Sequence, residues 1–134
     1  MPALRALMFL FGLTQAAQAQ TSTFACQYTG VGGFAWERSQ WRLNVFRLEE
    51  PFFLFAENAQ LDTQSVATVL GSNSTICRHD SLFQRSICHD ELGGYLIYDF
   101  ATQKGGRSEI LGAVSEDQEY RDALSVSTFI CQEM

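Results

Sequence analysis

Two short runs hold the side chains best suited to acid–base work: Cys77-Arg-His79-Asp80 and Cys88-His89-Asp90. A histidine beside a carboxylate is the core of a dyad that can activate a hydroxyl or a bound water. Ser81 and Ser86 are the nearest hydroxyls, so the chemistry on offer is that of a small hydrolase. No Gly-x-Ser-x-Gly elbow, His-Glu-x-x-His pair or phosphate-cradling glycine loop accompanies them. The same residues suit polar turns, in which Asp80 and Asp90 cap backbone N–H groups through their own carboxylates. That reading is preferred: no residue is assigned as catalytic, and a hydrolase using the His79/Asp80 and His89/Asp90 region stays as the alternative.

Cys77, His79, Cys88 and His89 are also the ligand types of a Cys₂His₂ zinc site. Adjacent residues on a strand point to opposite faces, so Cys88 and His89 would not converge on one ion. Neither metal nor cofactor is expected. Four cysteines behind an export signal predict two disulfides, for which three connectivities exist. Cys77–Cys88 and Cys26–Cys131 are preferred, the first closing a short loop and the second joining the first strand to the last. The two crossed alternatives stay open at this point.

The export signal occupies residues 1–19. Arg5 supplies the positive end, Ala6 to Leu13 the apolar stretch, and Ala17-Gln18-Ala19 the small-x-small cleavage pattern. The apolar stretch is too short to span a bilayer as a helix, and Cys26 lies too far on for a lipid anchor. Residues 20–134 then form a single disulfide-linked β domain, periplasmic or secreted, with no membrane association after cleavage. Without Arg5 the chain carries eight Lys/Arg against fifteen Asp/Glu, a formal charge of −7. No basic stripe interrupts the acidity, so nucleic acid is not an expected partner.

The rest of the chain reads as short strands. Phe24, Cys26 and Tyr28 alternate with small or polar residues, and Gly30-Val-Gly-Gly33 is expected to end that strand. Phe34 and Trp36 precede a polar turn at Glu37 to Gln40. Trp41, Leu43 and Val45 then alternate with Arg42 and Asn44 and are expected to face the core. Phe52 to Phe55 is apolar on both sides, as in a central or covered strand. Between Leu61 and Leu70, Asp62 and Gly71 can bracket a short helix, the preferred reading, while Val66 to Leu70 also has the β-branching of a strand. Lys104-Gly-Gly-Arg107 has the glycines of a hairpin turn, with Ser108 to Val114 returning and Glu116 to Asp122 as a charged loop. Leu124 to Cys131 is the last strand. The predicted fold is all-β, a small antiparallel barrel or sandwich stapled by two disulfides, with one short helix.

Phe34, Trp36 and Trp41 form the candidate ligand-binding cluster, since aromatics at a barrel mouth can stack on a ligand or anchor a partner. The competing role is to fill the core, with Trp41 inside and Trp36 on a rim.

The layout Phe24-x-Cys26, Gly33-Phe34-x-Trp36, Trp41, Phe53, a central cysteine pair, Gly93-Gly94 and Ser-Val-x-Thr-Phe-x-Cys131 resembles uncharacterised small exported proteins of Gram-negative marine bacteria. The resemblance spans nearly the whole exported chain and implies no particular activity. In architecture alone the chain is also similar to the periplasmic C-type lysozyme inhibitors, which are small disulfide-linked β-barrels. Their Gly-Ala-Arg-Tyr-like strand and closing Trp-x-x-Gly segment are missing here. The functional expectation is a non-catalytic binding module whose partner is a periplasmic protein or a small apolar ligand.

Overall fold

The computed structural model describes residues 17–110 and 123–134. Most of the predicted signal peptide, residues 111–114 of the predicted returning strand and the predicted charged loop lie outside them. Among the described residues, nine strands and one helix follow in chain order: β1 (Thr21–Glu37), β2 (Gln40–Val45), β3 (Phe52–Glu57), β4 (Gln60–Leu61), α1 (Thr63–Leu70), β5 (Ile76–Asp80), β6 (Arg85–His89), β7 (Gly94–Asp99), β8 (Lys104–Glu109) and β9 (Ala123–Glu133). All neighbours pair antiparallel, in the order β4-β3-β1-β9-β8-β7-β6-β5, and β2 hangs from the second half of β1. The sheet curls until β4 meets β5 and β6. There the Leu61 N–H donates to Ser86 Oγ across 3.3 Å. The result is a nearly closed barrel.

Alternation along the strands sends Phe24, Cys26, Tyr28, Leu54, Leu96, Tyr98 and Phe129 into one core. Their rings interlock edge to face, as at Phe52–Phe129 (5.1 Å) and Tyr98–Phe100 (4.9 Å). Helix α1 lays Val66 and Leu70 against that core. It starts where Asp62 Oδ2 accepts from the Ser65 N–H (2.8 Å) and stops where Gly71 turns left-handed, as the sequence predicts. Both preferred disulfides are present. Cys26 and Cys131 are direct partners across β1 and β9, and Cys77 and Cys88 across β5 and β6.

Four local expectations are corrected. The glycines after Thr29 do not end the first strand; β1 runs through them to Glu37, re-registered by a bulge between Tyr28 and Gly30. Gly33 lets β1 pass close to β9, since a Cβ there would lie 1.9 Å from the Leu124 carbonyl oxygen. Gly105 and Gly106 do not make a turn either; they lie inside β8, and the connection from β7 is Phe100 to Gln103, with Asp99 Oδ1 accepting from the Ala101 and Thr102 N–H groups. A Cβ on Gly105 would sit 2.2 Å from the Phe129 ring, so the glycine makes room for the core's largest inward neighbour on β9. The outer face of β3 is uncovered, with Phe53 and Phe55 exposed while Phe52, Leu54 and Ala56 face the core. Finally, Leu43 and Val45 point to solvent and not to the core.

Candidate functional site

The β5–β6 hairpin places the acid–base residues apart. His79 pairs with Ser86 and His89 with Ile76, three residue pairs along the ladder, or about 10 Å. Asp80 Oδ1 accepts from the Leu82 and Phe83 N–H groups (3.0 and 3.3 Å) and braces the hairpin tip. Asp90 Oδ1 accepts from Leu92 N–H (2.9 Å) and Gly94 N–H (2.7 Å). Both carboxylates are therefore engaged with turn amides. His79 Nδ1 does meet Ser86 Oγ at 3.5 Å, but Ser86 is buried and its hydroxyl also accepts from the Leu61 N–H. His89 lies beside the Tyr95 ring. This arrangement uses both carboxylates to brace the turns at the two ends of the hairpin.

One end of the barrel holds a second cluster that the sequence did not reveal. The Arg107 side chain, only 10% exposed, donates from Nη1 to Tyr28 Oη (3.0 Å) and Glu49 Oε2 (2.7 Å), and from Nη2 to Glu109. Its Nε has no hydrogen-bond partner among the described residues. Burial opposes the charge, but the Tyr28 hydroxyl and the Glu109 and Glu49 carboxylates outweigh it and hold the guanidinium above the ordinary arginine range. Burial also pushes the Tyr28 phenol up. An open cavity of about 470 Å³ lies here, lined by Tyr28, Leu48, Glu49, Phe52, Val69 and Arg107. With both carboxylates on it, the guanidinium acts as a clamp that ties the segment between β2 and β3 to the barrel.

The three aromatics of the predicted cluster come together on the β1–β2 arm. The register sets Trp36 opposite Trp41, Phe34 opposite Leu43 and Gly32 opposite Val45. Since opposite residues share a face and every second residue returns to it, all six lie on one side. β9 adds Leu124 beside Phe34 and Val126 beside Gly32 on that side. Gln40, Arg42 and Asn44 occupy the other. The two tryptophan rings meet edge to face at 5.3 Å and are both half-buried. This overturns the expected contrast between a core Trp41 and a rim Trp36. Leu43 (79%), Val45 (82%), Val126 (57%) and Phe34 (41%) remain exposed.

This apolar side is continuous with the outer face of the barrel. A shallow groove there runs over Gly106 and Ser108 between Val126, Tyr95 and Ile97. The arm is thus the edge of a broad apolar surface. Leu43, Val45 and Val126 are the members that sequence reasoning missed. Their alternation was visible, but not which of the two faces the core would take. The chain matches no family model, no curated protein and no solved structure.

Proposed function

We propose that this chain is a non-catalytic binding module, exported by cleavage after Ala19, that docks a protein on the apolar face of its β1–β2 arm. The carrying observation is the exposure of Leu43 and Val45 beside Phe34 and Val126 on one side of three adjacent strands. Side chains so exposed add little to folding, whereas a contiguous apolar patch is typical of an interaction surface. The face is broad and open, which favours a protein over an enclosed small ligand. Export is supported by the two disulfides, which are compatible with an extracytoplasmic compartment. Among the described residues no helix is long and apolar enough to cross a membrane.

The docking test is capture from extracytoplasmic extract by the immobilised wild type beside a Leu43→Asp/Val45→Asp variant. A protein retained by the wild type and lost by the folded variant is the expected result. Retention by both places the contact elsewhere. Intact mass of the exported chain should show Gln20 as the first residue.

A further inference from the structure

Strand β2 pairs with β1 and with no other strand among the described residues. Its turn, Arg38-Ser39, has φ of 49° and 65° at the two central positions, the geometry of a two-residue type I′ hairpin. Such a turn is closed by a hydrogen-bonded pair, here Glu37 and Gln40. Hydrogen-bonded and non-hydrogen-bonded pairs then alternate along the ladder. Gln40, Arg42 and Asn44 therefore direct their N–H and C=O groups to β1. Trp41, Leu43 and Val45 direct theirs to the open edge. No proline or bulge protects this edge, and its one charge, Arg42, sits on the face away from the apolar side chains. An open apolar edge of this kind is a template for strand addition.

We infer that the partner is a second copy of this chain, added antiparallel along β2 with Leu43 opposite Leu43 on the two-fold axis; the inference rests on the docking reading above. Opposite residues must share a face, so the two copies can slide only in steps that keep like face against like. With Leu43 on the axis, Trp41 of each copy faces Val45 of the other. All three residues whose backbone groups are free then form hydrogen-bonded pairs. Arg42 meets Asn44, a neutral acceptor. Sliding one step one way sets Arg42 against Arg42, a like-charge pair that opposes association. Sliding the other way leaves Trp41 without a strand partner. The edge is thus complementary to itself in backbone pattern, side-chain face and charge. The apolar sides of the two arms become one surface across the axis, an isologous contact that closes on itself.

The test is sedimentation velocity of the exported chain over a concentration series, with residue-resolved amide exchange. Dimer should grow with concentration, and the Trp41, Leu43 and Val45 amides should become protected with it. The Gln40, Arg42 and Asn44 amides should be protected at every concentration. Leu43→Asp and Leu43→Lys, each alone, should be monomeric, and their mixture should form a one-to-one dimer, because the axis places the two new charges side by side. A wild type that stays monomeric throughout overturns the inference, as does a dimer in which these three amides exchange unchanged or the mixed variants stay apart. A monomeric wild type that still captures another protein through Leu43 overturns only the second copy. Capture unaffected by Leu43→Asp overturns the docking face itself.

Discussion

Replacing Tyr98 by phenylalanine should stabilise the protein. The Tyr98 ring is fully buried, packed on Phe24 (5.4 Å), Phe100 (4.9 Å) and Phe129 (6.3 Å). Its hydroxyl has no hydrogen-bond partner among the described residues. A buried hydroxyl left unpaired costs about 1 to 3 kcal/mol. Removing one oxygen leaves a void of roughly 10 Å³, which at about 24 cal/mol per Å³ returns only some 0.2 kcal/mol of that. Tyr98→Phe should therefore gain about 1 kcal/mol at neutral pH, a rise of about 4 °C in Tm.

Alkaline pH provides a second readout of the same hydroxyl. Burial, with smaller contributions from the Glu133 and Asp99 carboxylates, pushes the Tyr98 phenol up to about 12 from 10.0. The unfolded phenol ionises first. The stability this group contributes is complete below pH 10 and declines as pH rises towards about 12. The variant has no such loss, so its advantage should widen across that window by up to about 1.4 kcal/mol per pH unit. Urea melts of both proteins from pH 7 to 11.5 measure the gap. A Tyr98→Phe variant less stable than wild type by more than about 0.5 kcal/mol, with a pH-independent gap, would mean that the native hydroxyl is satisfied and the reasoning wrong.

Opening the disulfides by paired alanine substitution should cost about 3 kcal/mol for Cys77–Cys88 and about 5 for Cys26–Cys131, following loop separations of 11 and 105 residues; denaturant melts rank the two. Trp36→Ala and Trp41→Ala should each lose the edge-to-face contact between the two rings, worth about 0.5 to 1.5 kcal/mol beyond burial; a Trp41→Ala variant that melts with wild type would contradict that contact. Arg107→Ala should cost about 2 to 3 kcal/mol, since charge-assisted bonds to Tyr28, Glu49 and Glu109 are lost. Glu49→Gln should cost under about 1 kcal/mol because Glu49 is more than half exposed. Urea titrations separate those two values.

What could be read from the sequence was local. Asp62 and Gly71 act within one helix, and the alternation around Cys26 and Cys131 marks two strands whose inward cysteines become direct partners when β1 pairs with β9. What could not be read depends on distant neighbours. Gly105 looks like a turn residue until Phe129 is known to press on it from β9. Arg107 has one local partner, Glu109; the other two, Tyr28 and Glu49, lie 79 and 58 residues away in the chain. A period of two shows that the faces of β2 differ without saying which is inward, and on an arm that stands at the sheet's margin the apolar face turned outward. Phe34, Trp36 and Trp41 share one side of the arm because a tight turn between short strands fixes their pairing.

The claim that the arm is a binding surface predicts that folding and association respond separately to the same change. Sedimentation and urea melts of Leu43→Asp/Val45→Asp beside wild type test it directly. Both residues are about four-fifths exposed, so stability should stay within about 0.5 kcal/mol of wild type, while association is lost. A variant that loses stability and still associates as wild type does would contradict the claim.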